Sequence, residues 1–188
     1  IALSQVFVLS GFGTALIQKI DRDEKDFSTT FYYNLTVSVL FYSLLFVSAP
    51  YIAKFYNEPL LVNLTRAVSL SIIIEAFAVV QRAKFTINVD FKNQTKASIS
   101  SIIISGIVGI LLAYKGFGVW ALVVQSLLRS GINVIVLWYI SKWFPREKFY
   151  FNRFKRLFSY SSNLVIAGLF HAFSQNLNKI IIGKAFTS

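Results

Sequence analysis

The sequence predicts an all-α protein, a polytopic bundle of membrane-spanning helices. Of its 188 residues, 55% are hydrophobic and only 14% are charged, which is more apolar surface than one water-soluble core could cover. The lysines and arginines gather mainly between long apolar runs. Stretches of consecutive apolar residues, at 44–47 and 102–104, lack the alternation of apolar and polar residues that a membrane β-barrel requires.

Six runs reach the length of a spanning helix, which needs about 20 apolar residues. Four of these runs contain no Lys, Arg, Asp or Glu and lie at 1–18, 27–53, 97–114 and 157–178. The other two, 60–85 and 117–141, contain charged residues, each of which costs roughly 2.5–3.5 kcal/mol at the centre of a bilayer. We therefore expect about six transmembrane helices, of which two carry charge.

The loops between these runs predict the orientation. Lys and Arg cluster in every second loop, at 19–25, 82–96 and 142–156, and the positive-inside rule places these loops in the cytoplasm. The first run then crosses from outside to inside, so at least one earlier helix is expected. Asn-Glu-Pro at 57–59 and Gly-Phe-Gly at 116–118 predict short outer turns.

Residues 142–156 also mix aromatic with basic side chains, as an interfacial segment on an anionic leaflet would. A plain basic loop with an aromatic belt is the alternative.

The composition of the chain excludes several classes of function. The chain has no cysteine and a single histidine, so neither a disulfide framework nor a zinc site is expected. We predict no cofactor, no nucleic-acid partner and no enzymatic activity.

The charged residues within the apolar runs are the candidate site. Ionisable groups at membrane depth normally face a partner or a water-filled cavity. Arg129 is central in its run, with Gln125 and Asn133 on the same helical face. Glu75 and Arg82 lie seven residues apart on nearly one face, about 10 Å apart along a straight helix axis. We predict that these five residues line a substrate cavity in which Arg129 binds phosphate bidentately.

Two alternatives apply to these residues. Glu75 and Arg129 could instead pair across two helices and only stabilise the bundle, and Arg82 could be an ordinary anchor that reaches the interface. In the last run, His171, Gln175 and Asn178 share one face and are the candidate ion-coupling residues. His171 can titrate near neutral pH, although a buried neutral histidine fits the same pattern.

An ordered series of short motifs resembles the Wzx-type polysaccharide flippases. It begins with Gly-Phe-Gly-Thr-Ala-Leu-Ile-Gln-Lys at 11–19 and Phe-Ser-Thr-Thr-Phe at 27–31. It continues with Val-Gln-Arg-Ala at 80–83, Gly-Phe-Gly-Val-Trp-Ala-Leu at 116–122, Leu-Trp at 137–138, Phe-Ser-Tyr at 158–160 and Asn-Leu-Asn-Lys at 176–179. The resemblance covers essentially the whole chain.

This resemblance implies a fold of the multidrug/oligosaccharidyl-lipid/polysaccharide exporter superfamily, which is MATE-like and has 12 to 14 helices in two bundles. Residues 1–141 would supply helices two to six of the N-terminal bundle, 142–156 the cytoplasmic loop between bundles, and 157–188 the first helix of the C-terminal bundle. Relatives are expected to carry Asp near the position of Asn178, so a coupling role of that Asp does not transfer here.

The resemblance also implies a function. Such a transporter moves undecaprenyl-pyrophosphate-linked oligosaccharide from the inner to the outer leaflet of the bacterial cytoplasmic membrane by alternating access. Its product would be a surface polysaccharide, such as lipopolysaccharide O-antigen or exopolysaccharide. The implied partners are this lipid-linked substrate, membrane lipids, a coupling proton or Na⁺, a polysaccharide polymerase and glycosyltransferases. A cation-coupled multidrug exporter of the MATE type, or a membrane glycosyltransferase or polymerase, is the alternative.

Overall fold

The computed structural model of the protein describes residues 12–159 and 162, and within them the regular structure is helical. The helices are α1 (Phe12–Gln18), α2 (Glu24–Tyr56), α3 (Leu61–Ala76), α4 (Val79–Ile87), α5 (Phe91–Tyr114) and α6 (Val119–Ser141), and residues 151–159 are helical as well. Helices α2, α5 and α6 are each long and apolar enough to cross a membrane. This confirms the predicted all-α, polytopic membrane bundle. Two predicted spans, 1–18 and 157–178, lie mostly outside the described residues.

Helix α2 has a well-defined start and end. Asp23 caps its N-terminus in a capping box with Asp26, each side chain accepting a hydrogen bond from the other residue's backbone N–H. At the other end Asn57 adopts the left-handed conformation with φ of 57°, which stops the helix as the Asn-Glu-Pro turn predicts. At about 1.5 Å per residue its 33 residues exceed the roughly 30 Å apolar thickness of a bilayer.

The run 60–85 is not the single straight helix that the sequence predicts. It divides at Phe77 and Ala78 into α3 and α4, which are bent by 42° and could together form a fourth span. Such a break frees backbone groups that hydrocarbon cannot satisfy. The indole N–H of Trp138 on α6 donates to the freed carbonyl of Phe77 at 2.8 Å. A neighbouring helix thus supplies a hydrogen-bond partner at the break, and a pattern within residues 60–85 cannot reveal that partner.

Helix α5 packs on α6 through a stripe of small residues. Its buried positions follow at intervals of four residues and are Ala97, Ser101, Ser105 and Gly109. Small side chains at this spacing let two membrane helices approach closely. A Cβ atom at Gly109 would lie 2.9 Å from Cδ of Gln125 on α6. The opposite face of α5 exposes isoleucines, including Ile103 and Ile110, as a lipid-facing surface does.

The segment after α6 is bound to the start of α2 by hydrogen bonds and an ion pair. The Trp143 indole N–H donates to Glu24 at 2.7 Å, and the Tyr150 backbone N–H donates to the Thr29 hydroxyl at 3.2 Å. Arg153 binds Asp23 at 3.0 Å. We call these three contacts the clasp. The helix that follows begins at residue 151, inside the predicted loop 142–156, because its first residues dock on α2.

Candidate functional site

A polar cavity of about 410 Å³ lies between α3, α4, α5 and α6. Its lining consists of polar or charged side chains and one leucine, namely Glu75, Arg82, Gln94, Ser98, Ser101, Ser126, Arg129, Ser130, Asn133 and Leu137. Four of the five predicted substrate residues are among them. The fifth, Gln125, packs against Gly109 at the edge of this face instead.

The break between α3 and α4 lies at one wall of the cavity, and a hydrogen-bonded network crosses it. Arg82 donates through Nη2 to Glu75 Oε2 at 2.5 Å and to Asn133 Oδ1 at 2.9 Å. Ser130 donates to Glu75 Oε1 at 2.8 Å. On a straight helix Glu75 and Arg82 would be separated by about 10 Å along the axis. In the structure the helix is bent between them, and their side chains are in contact.

Each carboxylate oxygen of Glu75 accepts a hydrogen bond from a residue other than Arg129. In the described part of the chain Glu75 pairs with Arg82 and forms no ion pair with Arg129. Arg82 is therefore part of the cavity wall as well as a residue near the end of its helix. Arg129 is solvent-exposed, and within the described part of the chain no carboxylate lies within ion-pair distance of it. With two guanidinium groups and one carboxylate, the lining has an excess of one positive charge.

Sequence reasoning missed five polar residues of the lining and Leu137. On α5 these residues are Gln94, Ser98 and Ser101, and on α6 they are Ser126 and Ser130. The available signal was their spacing, because each set recurs at intervals of three or four residues and so shares one helical face. Hydroxyl and amide groups both donate and accept hydrogen bonds, so the missed residues make the cavity suitable for sugars as well as for anions.

The remaining candidates lie either outside the described residues or away from this cavity. His171, Gln175 and Asn178 lie outside the described residues. Arg66, the first charged residue of the run 60–85, places its guanidinium carbon 4.1 Å from the centre of the Phe46 ring and is not among the lining residues. Among residues 12–159, no group of three His, Cys, Asp or Glu side chains is arranged to hold a metal ion.

Comparison with known proteins identifies relatives along the whole chain. The family profile described as polysaccharide biosynthesis protein matches residues 1–188. The teichuronic acid biosynthesis protein TuaB of Bacillus subtilis (strain 168) is 28% identical over 183 residues, which are 96% of this chain and 38% of that protein. The succinoglycan biosynthesis transport protein ExoT of Rhizobium meliloti (strain 1021) is 24% identical over 156 residues, or 83% of this chain and 32% of that protein.

The chain thus spans between about a third and two fifths of the length of these two relatives. No solved structure matches it significantly. The family profile extends from the first residue of the chain to the last. The chain therefore belongs to the polysaccharide biosynthesis protein family.

Proposed function

We propose that the whole protein is a transporter that moves undecaprenyl-pyrophosphate-linked oligosaccharide from the inner to the outer leaflet of a bacterial cytoplasmic membrane. The observation that carries this proposal is the polar, net positive cavity between membrane-spanning helices. Hydrocarbon does not tolerate such a set of side chains, so their burial between helices needs a polar occupant. A pyrophosphate joined to sugars has the matching negative charge and hydroxyl groups.

Each part of the lining has a role in this proposal. Arg129 has no partner carboxylate among the described residues, so its guanidinium is available to bind phosphate oxygens bidentately. Arg82 is held by Glu75 and Asn133, which fixes its direction toward the cavity. The serines and Gln94 bind sugar hydroxyls. The lipid tail stays in the bilayer, and the rest of the oligosaccharide lies in the remainder of the protein.

The names of the two relatives are consistent with this proposal, because both refer to polysaccharide biosynthesis and one refers to transport. Glycosyltransferases would supply the lipid-linked substrate and a polymerase would use it at the outer leaflet. A proton or Na⁺ would drive transport, with His171, Gln175 and Asn178 as the candidate coupling residues. An exporter of organic cations is disfavoured, since the excess positive charge of the cavity would repel its cargo.

The test replaces Arg129 in the intact gene. With Arg129→Ala we expect surface polysaccharide to fall about 10- to 100-fold, because hydrogen bonds to a charged group contribute roughly 1.5–3 kcal/mol. The lipid-linked intermediate should accumulate in the inner leaflet. Arg129→Lys should restore only part of the output, since Lys keeps the charge and loses the bidentate geometry.

Arg66→Ala is the matched control, because it removes an arginine that lies away from the cavity. Immunoblots of membrane fractions establish that the variants are equally abundant. Normal polysaccharide output from Arg129→Ala at normal abundance would refute the substrate role of the cavity. A polymer defect with the intermediate already in the outer leaflet would instead indicate a later step, such as polymerisation.

A further inference from the structure

A second cavity, of about 670 Å³, forms a groove between the end of α1 and the helical residues 151–159. Its lining residues are Ala15, Gln18, Lys19, Asn152, Lys155, Arg156, Leu157 and Ser159. None of them lines the cavity proposed for the substrate. Both walls come from segments next to basic loops, so the positive-inside rule places the groove at the cytoplasmic boundary of the membrane.

The groove is cationic. Three of its lining residues are basic and none is acidic. Lys19 is already engaged, because its ammonium group is paired with the buried carboxylate of Asp26. Lys155 and Arg156 are exposed, and neither has a carboxylate partner among residues 12–159. The groove therefore presents two uncompensated positive charges side by side.

The base of the groove is apolar. Ala15 and Leu157 are 1% and 3% exposed and belong to one hydrophobic cluster with Phe12. On the same segment Phe151 and Phe158 are 66% and 47% exposed, as aromatic side chains are where they enter the headgroup region of a membrane. Cations beside an apolar floor, next to exposed phenylalanines, match a molecule that carries both a phosphate and a hydrocarbon chain.

We infer that this groove binds one anionic phospholipid of the cytoplasmic leaflet. The headgroup phosphate lies between Lys155 and Arg156, and the start of an acyl chain lies over Ala15 and Leu157. A soluble phosphate would use the cations and gain nothing from the apolar floor. The bound lipid bridges α1 and the helix that starts at residue 151, and so it joins the N-terminal part of the chain to the segment that follows the clasp.

The experiment measures lipid retained by the purified full-length protein. Nanodiscs are made from phosphatidylcholine with a small fraction of phosphatidylglycerol, and the bound lipid is counted by native mass spectrometry. Each Lys or Arg near an anionic surface contributes a factor of roughly five to binding, so Lys155→Gln with Arg156→Gln should weaken retention about 25-fold. Arg146→Gln with Lys148→Gln removes the same two charges from the adjacent loop, outside the groove, and therefore controls for general attraction to an anionic surface; it should weaken retention clearly less than the groove variant.

Two further measurements separate the sources of phosphate. Glycerol phosphate carries the phosphate group without chains and should not displace the bound phosphatidylglycerol. A photoreactive residue at Asn152, inside the groove, should crosslink to labelled phosphatidylglycerol, whereas one at Lys148 should not. Equal retention by the two double variants, displacement by glycerol phosphate, or equal crosslinking from both positions would each overturn the inference. None of these readouts depends on polysaccharide transport, so they are independent of the function proposed for the other cavity.

Discussion

The network around Glu75 gives the strongest quantitative prediction for the cavity. Glu75→Gln keeps the size of the side chain and removes its charge, so that among the described residues Arg82 faces only neutral amide oxygens instead of a carboxylate. The two side chains are 16% and 27% exposed. Removing one partner of a fully buried ion pair costs about 3–5 kcal/mol, and we expect about 2–3 kcal/mol here because both side chains are partly exposed.

A double-mutant cycle isolates the pair. Arg82→Gln alone should also destabilise, because it leaves Glu75 with a buried negative charge that only Ser130 satisfies. The double variant removes both charges together and should lose much less than the sum, which gives a coupling energy of about 2 kcal/mol. The assay is the free energy of unfolding of the purified full-length protein from reversible denaturant titrations in detergent.

The chain offers a matched control in Glu24 and Lys84. This pair is separated by 3.3 Å, and the Glu24 side chain is 53% exposed, so its coupling energy should stay below about 1 kcal/mol. If the Glu75 and Arg82 substitutions are additive within about 0.5 kcal/mol, or couple no more strongly than the control pair, the bend does not hold a functional ion pair. Glu75 would then not be the group that holds Arg82 in the cavity wall.

Two further predictions concern packing and pH. Gly109→Ala forces Gln125 to move and should lower stability by about 1–3 kcal/mol. At Gly106 a Cβ meets nothing within 4 Å, so Gly106→Ala should be neutral or stabilising by about 0.5–1 kcal/mol. Equal thermal midpoints for the two variants would contradict the close α5–α6 approach. Burial opposes the ionisation of Asp23, but the backbone N–H of Asp26 and the charges of Arg153 and Lys19 hold its pKa below the ordinary value. Ionised Asp23 thus stabilises the fold above its unfolded pKa of about 3.9, and this stabilisation is lost as the pH falls through the lower folded pKa. Asp23→Asn should therefore lower the thermal midpoint at pH 7 and converge with the wild type in acid, and a difference that does not change with pH would contradict this reasoning.

Much of the fold can be predicted from the sequence because lipid imposes a simple rule. Apolar runs of spanning length can be recognised without knowing their neighbours, and the predicted runs 27–53, 97–114 and 117–141 correspond to the helices Glu24–Tyr56, Phe91–Tyr114 and Val119–Ser141. The break at Phe77 could not be predicted. The break has a hydrogen-bond partner in Trp138, 61 residues away, and no local signal such as Pro or Gly marks it. The docking of residues 143–153 on α2 is equally long-range.

The site could be predicted in part for a related reason. Charged residues inside apolar runs stand out individually, so Glu75, Arg82 and Arg129 could be selected from the sequence. Their partners could not, because a hydroxyl in a membrane helix usually bonds to its own backbone. Ser130 differs from such residues only because it lies opposite Glu75, which is a property of the packed bundle. Arg129 and Asn133 lie on the lining face of α6 as predicted, whereas Gln125 packs against Gly109 and its neighbour Ser126 lines the cavity instead.

Side chains of α6 contact the break between α3 and α4 and also line the cavity. Trp138 donates to the carbonyl that the break frees, while Asn133 and Ser130, about one and two turns earlier, hold the ion pair that crosses the same break. A bent span in hydrocarbon is tolerated only while its freed backbone groups have partners. Any movement of α6 away from α3 and α4 therefore separates Trp138 from Phe77 and Ser130 from Glu75 together. The shape of the span and the direction of the cavity's charges are thus coupled through a single helix.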